Sequence, residues 1–372
     1  MLGLRICLSS SGVLQPPIEI RLKSGIHVNQ KAHLLIIGCG DVAVRALPAL
    51  TQDWSVTAVM RSAPAEALRQ RFSADAVHWL QADLDDPLSL QRALQGLPLQ
   101  ADALLHSAPP PVPAAPMHGQ GSSHSQDSRT RQLLQVLTSA VNAVEKTGDN
   151  NSNKTAATLP RHLVYISTSG VYGDCAGALV DESHALQPTT ARALRRVDAE
   201  QQLSAWTTQH ARVLTVLRAP GIYAADRLPL ERLRAGTPVL NEADDVYTNH
   251  IHAEDLAAMV VRALQLGRTA PQRVAGVFNA SDDCAMHMGA WFDLVADRYG
   301  LPRPPRVARA QAAGCIPPMM LSFMNESRRL DNRRIKQAFD LQLRYPTVFD
   351  GVPQMSQISQ MSQMSKTQQG QS

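Results

Sequence analysis

The residues with the clearest chemical purpose lie between Gly38 and Ala43. Gly38-Cys39-Gly40-Asp41-Val42-Ala43 has the spacing G-x-G-x-x-A and follows the apolar run Leu34–Ile37. A strand that turns tightly into a helix leaves the helix's first N–H groups without partners, and the helix dipole adds positive potential there. Gly38 permits the turn, Gly40 lets the backbone approach a diphosphate with no Cβ in the way, and Ala43 lets the helix pack on the sheet. With strand, turn and helix together, the spacing reads as a dinucleotide site rather than an ordinary glycine turn.

The next informative position ends the apolar run Val56–Met60. An acidic residue there would bind the ribose 2′-hydroxyl of NAD, but Arg61 and Ser62 stand there instead. A guanidinium suits a 2′-phosphate, so NADP is expected, with NAD as the alternative. The bland reading of Arg61 is a solvated surface arginine. Asp83, after the third apolar run, has two open readings: an acceptor for the adenine amino group, or the cap of the following helix.

These residues need a scaffold, and the pattern supplies one. Apolar runs at Leu34–Ile37, Val56–Met60, Val77–Leu80 and Ala103–His106 alternate with helical patterns at Val42–Leu50, Ala65–Phe72 and Pro87–Leu94. Such alternation predicts a parallel sheet with right-handed crossovers. Further strands are predicted at His162–Ser167, Val213–Leu217 and Gly276–Ala280. Further helices are predicted at Thr130–Lys146, Ala191–His210, Glu254–Leu266, Met288–Tyr299 and Asp331–Phe339. Polar stretches at Ser107–Ser128 and Thr147–Leu159 read as long loops, and residues 353–372, rich in Gln, Met and Ser, as a disordered tail. The expected organisation is an extension over 1–31, a dinucleotide-binding domain over 32–225 and a substrate lobe over 226–352.

Composition excludes several functions. Apolar residues make up 44% of the 372 and charged residues 18%, which supports a packed core. Aromatics at 4% and a net charge of +4 argue against a nucleic-acid partner. The five cysteines form no CxxC pair, and His118 and His124 lack ligand spacing, so neither disulfides nor a metal are expected. No apolar run reaches the length of a membrane span, and a cytoplasmic location is expected.

Later segments carry a resemblance. Gln81-Ala82-Asp83-Leu84, Leu104-Leu105-His106-Ser107-Ala108, Tyr165–Asp174, Leu217–Tyr223 and Asn249–Leu256 together resemble the extended short-chain dehydrogenase/reductases, the NAD-dependent epimerase/dehydratase superfamily. The resemblance runs from about residue 33 to about 350. It implies an α/β fold: a Rossmann-type doubly wound parallel sheet with a smaller C-terminal substrate lobe. It also implies that Ser107 and Pro220 lie near the cofactor and that Thr168 orients a substrate carbonyl. Ile37 stands at the first glycine of the family's usual GxxGxxG, and Ala43 at the last. The family's catalytic YxxxK is missing: with Glu200 as anchor, Arg192 falls at the tyrosine and Arg196 at the lysine.

Arginine can take over the lysine's hydrogen bonds, but it does not release a proton near neutral pH, so the usual acid is absent. Tyr172 and Tyr223 are the candidate replacements, each with packing as the competing role, and Arg192 is a candidate clamp for an anionic group. His252 and Asp255 are given a structural role in preference to a catalytic dyad. Asn325–Arg329 is a segment that would reach the cleft from the lobe. The expected function is NAD(P)-dependent oxidoreductase or epimerase chemistry on a carbonyl or sugar-type small molecule. The alternative is a non-catalytic NADP sensor or scaffold. Relatives often act on nucleotide sugars, but nothing here marks a uridine pocket. A homodimer through Thr130–Lys146 and Ala191–His210 is expected by analogy only.

Overall fold

The computed structural model describes residues 31–94, 101–111, 125–147 and 158–354. Outside them lie the sequence expectations for residues 1–30, for most of the two polar loops with His118 and His124, and for the tail from 355.

The predicted alternation builds the first half of a parallel sheet. Strands β1 (Ala32–Ile37), β2 (Trp54–Met60), β3 (Val77–Gln81), β4 (Ala103–His106) and β5 (His162–Thr168) come with helices α1 (Asp41–Asp53), α2 (Glu66–Gln70), α3 (Pro87–Leu94) and α4 (Ser128–Thr147). Beyond these lie β6 (Leu179–Val180), α5 (Ala191–Gln209), β7 (Val213–Ala219), β8 (Gly221–Tyr223), α6 (Leu230–Arg234), β9 (Val239–Leu240), β10 (Tyr247–His252), α7 (Ala253–Thr269), β11 (Gly276–Asn279) and β12 (Ala285–His287). The central sheet has seven strands in the order β11-β7-β5-β4-β1-β2-β3, all paired in parallel.

Both faces of this sheet are covered, as side-chain alternation along β1 requires. Leu34 and Ile36 join Ala43, Leu47 and Leu50 of α1 and Leu256 and Met259 of α7. Leu35 and Ile37 join Leu133 and Leu137 of α4 and Leu203 and Trp206 of α5. Each such leucine or isoleucine stabilises the fold by about 1.5–3 kcal/mol when fully buried. The predicted final helix begins two residues late, at Arg333, whose N–H is taken by the Asp331 carboxylate at 3.0 Å.

A third apolar cluster forms the lobe around Tyr223, Leu233, Val239, Trp291 and Phe292. Beside it, β10 pairs with β8 in parallel and with β12 antiparallel. β10 escapes the sequence reading because Tyr-Thr-Asn-His-Ile-His has no apolar run, yet Asn249, His250 and His252 are all buried. Among the described residues, no helix is long and apolar enough to cross a membrane.

Candidate functional site

Strand order reverses between β1 and β4, so the loops after Ile37 and His106 diverge and open a crevice at the carboxyl ends of the strands. Gly38 turns there with φ +83°, and a Cβ on it would lie 2.5 Å from Ala108 Cα and N. The Gly38 and Cys39 N–H groups donate to Val59 O at 3.0 and 3.1 Å, and Gly40 N–H to Gly38 O at 2.8 Å. The loop is therefore braced by its own backbone. The free donors are those of Asp41, Val42 and Ala43 in the first turn of α1, which find no acceptor among the described residues and have no side-chain cap. Gly40 is exposed, with nothing within 4 Å of its would-be Cβ.

The other loop residues have distinct places. Ser107 Oγ donates to Gly38 O at 2.6 Å and so pins the turn. Cys39 points into the core, where burial pushes its thiol up to about 12. The Asp41 carboxylate pairs with Arg45 at 3.0 Å and Arg227 at 2.7 Å, which offsets the negative charge it brings to the helix start.

The crevice holds about 190 Å³ between Gly38, Val59–Arg61, Ala82–Leu84, Ala108, Pro109 and Arg129. Arg61 directly follows β2 and is exposed at this wall. Asp83 borders the space too, while its Oδ1 accepts the Asp85 N–H at 3.0 Å, so it also ties a turn. Arg129 gave no signal in the sequence, because its role comes from reach across the fold. It donates to both Asp85 oxygens, holding that carboxyl below the usual range, and to Pro109 O at 2.8 Å.

A larger cleft of about 570 Å³ opens where Thr168–Gly170 and Pro220–Ile222 meet the lobe. Thr168 Oγ1 accepts the Gly170 N–H at 3.2 Å, which leaves its own proton free to donate. Arg192 borders the cleft from the first turn of α5, and Glu326 and Arg328 border it from the lobe. Arg196, one turn further along, is half-buried and donates Nη1 to Tyr165 Oη and Ile166 O, both at 2.9 Å. Arg227 borders the cleft and also bonds Asp41 in the first turn of α1.

The tyrosine hydroxyls are spent elsewhere. Tyr172 is fully buried; its hydroxyl donates to Asn279 Oδ1 at 2.8 Å and accepts from Arg218 Nη1 at 3.0 Å, and burial raises its pKa. Tyr223 donates to Thr347 O at 3.3 Å, and burial raises its pKa strongly. His252 Nδ1 accepts the Glu254 N–H at 3.2 Å and caps α7, while Asp255 accepts the Arg344 and Tyr345 N–H groups at 2.8 and 2.9 Å. The two side chains thus serve separate backbone groups.

Asp282 lies behind the cleft wall, its N–H donating to His250 O at 2.8 Å. It is 4% exposed, Oδ1 accepts the Cys284 N–H at 3.0 Å, and Oδ2 has no partner among the described residues. Burial pushes this carboxyl from 3.8 up to about 8. The folded state therefore holds a proton that the unfolded chain releases. Stability from this group is complete below about 3.8 and is lost as pH rises through about 8. Asp282→Asn keeps the acceptor for Cys284 and is expected to flatten the fall in urea midpoint between pH 4 and pH 8. An unchanged slope would show that Asp282 is ionised in the fold.

Among curated proteins, none matches the chain. Among solved structures, a functionally unknown conserved protein from Silicibacter pomeroyi is 27% identical, with a TM-score of 0.64 over 86% of this chain and 96% of that one. UDP-glucuronic acid 4-epimerase from Bacillus cereus, in complex with NAD, is 14% identical and shares the fold, with a TM-score of 0.60 over 86% of this chain and 95% of that one. Residues 38–280 match the NAD dependent epimerase/dehydratase family, a span that runs from the glycine turn through Thr168 to the end of the seventh sheet strand. The chain belongs to the NAD dependent epimerase/dehydratase family.

Proposed function

We propose that this chain binds NADP along the crevice and exchanges hydride with a carbonyl or sugar-type small molecule in the adjoining cleft. One observation carries the reading: the open first turn of α1 stands at the strand-order reversal, and Gly38, which leads into it, lines the crevice together with Arg61. Backbone donors at Asp41–Ala43 would hold the diphosphate, and Arg61 the 2′-phosphate. The nicotinamide, when bound, supplies or accepts the hydride. Thr168 donates its free proton to the substrate oxygen and orients it. Arg196 keeps Nη1 on β5 and leaves Nε and Nη2 for the cofactor ribose. With no tyrosine at position 192, protons reach Thr168 from water in the open cleft.

Calorimetry with NADP and NAD tests the cofactor. Arg61→Asp is expected to weaken NADP at least about tenfold, the size of one charge-assisted contact, and to leave NAD unweakened. Equal losses for both cofactors would remove Arg61 from the 2′ position. A second reading, a sensor that binds NADP without turnover, is favoured by the commitment of the Tyr172 hydroxyl to Asn279 and Arg218. NADPH consumption against a panel of carbonyls separates the two: tight binding with no consumption on any member favours the sensor.

A further inference from the structure

Among the described residues, four guanidinium groups border the cleft, from Arg192, Arg227, Arg232 and Arg328, against the single carboxylate of Glu326. Three of the four are committed. Arg328 Nη1 lies 2.9 Å from Glu326 Oε2 and 2.7 Å from Gly173 O. Arg227 lies 2.7 Å from Asp41, and Arg232 donates to Pro238 O at 3.2 Å with its guanidinium over Phe292. Arg192 makes no hydrogen bond or ion pair among the described residues. Its guanidinium lies over the Phe323 ring, 4.3 Å from the centroid.

That arrangement selects a ligand shape. A guanidinium held over a ring still has N–H groups on the edge turned away from it, where a planar carboxylate can take two of them. Partial burial and the like charges of Arg196, Arg328 and Arg195 lower the Arg192 pKa, with Glu326 opposing them. An incoming anion relieves that repulsion. The position is also close to the reacting end of the cleft. A Cβ built on Gly170 would lie 3.6 Å from Thr168 Oγ1 and 3.9 Å from Ala193 Cβ, so the first turn of α5 adjoins the Thr168 turn. Met288, Trp291 and Phe292 give the same cleft an apolar wall.

We propose that the substrate is an oxo acid, a carbonyl compound with a carboxylate near the carbonyl and an apolar remainder, and that Arg192 is the residue that binds the carboxylate. The position that lost the family's tyrosine thereby sets substrate class. This inference rests on the proposed carbonyl chemistry at Thr168.

The test is calorimetry on the full chain at saturating NADP with three matched pairs: pyruvate and acetone, 4-oxopentanoate and 2-pentanone, phenylpyruvate and phenylacetone. At least one acid, with phenylpyruvate first in rank, is expected to bind about tenfold or more tighter than its neutral partner. Arg192→Gln is expected to bring that ratio within about twofold, and Arg192→Lys to restore it in part, since lysine keeps charge without the fork. Thermal unfolding and NADP affinity of each variant report folding separately. No preference in any pair, or a preference that survives Arg192→Gln, overturns the inference while NADP binding stands. Failure of NADP itself to bind overturns the reading beneath it.

Discussion

Glu200→Ala is expected to destabilise the protein by about 3–5 kcal/mol, because it strands a buried cation. The Arg218 and Glu200 side chains are only 5% and 8% exposed, and Arg218 Nη2 lies 2.7 Å from Glu200 Oε2. Ser167 Oγ donates to the other carboxylate oxygen at 2.5 Å. From Arg218 the network passes to the Tyr172 hydroxyl, then to Asn279, whose Nδ2 donates to Val180 O and Asp331 O, both at 3.1 Å. One ion pair thus ties α5 to the ends of β5, β7 and β11, next to Thr168. Urea unfolding would measure the loss. The double replacement Glu200→Met with Arg218→Met should recover most of it, since an apolar pair of similar volume leaves no unpaired charge. A single-variant loss below about 1 kcal/mol, the scale of an exposed pair, would mean that water reaches Arg218.

This network explains which parts of the site could be read from the sequence. The shape of the glycine turn was legible because it is local: Gly38 takes φ +83° and Gly40 is left open within one strand–helix unit. The parallel sheet was legible because buried strands such as Leu34–Ile37 and Ala103–His106 are continuous apolar runs. Pairings between distant residues left no such trace. Tyr172 lies on a motif near the cleft, but its hydroxyl is consumed by Asn279, 107 residues away in sequence. Arg129 braces the crevice through Asp85, and Arg227 reaches Asp41 across 186 residues. β10 was hidden for the opposite reason. Three of its four buried residues are polar, with Ile251 the exception, and Asn249 is accommodated only because Arg328 O and Leu330 N meet its amide at 2.9 and 2.8 Å.

Gly38→Ala and Gly40→Ala should separate the two tasks of the glycine turn. At Gly38 the φ of +83° costs an alanine about 1–2 kcal/mol. The new Cβ would also meet Ala108 Cα and N at 2.5 Å. Ala108 N–H is held by Ile37 O at 3.1 Å, so this neighbour cannot yield without breaking the join between β1 and β4. Overpacking of that kind adds about 1–3 kcal/mol, so Gly38→Ala is expected to lower stability by about 2–5 kcal/mol and cofactor affinity with it. Gly40 has φ −88° and open space around its Cβ position. Gly40→Ala should therefore unfold within about 0.5 kcal/mol of the parent. A methyl there stands where a diphosphate would approach the first turn of α1, so NADP affinity should still fall. Loss of binding without loss of stability at Gly40 would mark that open space as the ligand's. Unchanged affinity would place the diphosphate elsewhere and remove the basis for reading this crevice as a cofactor site.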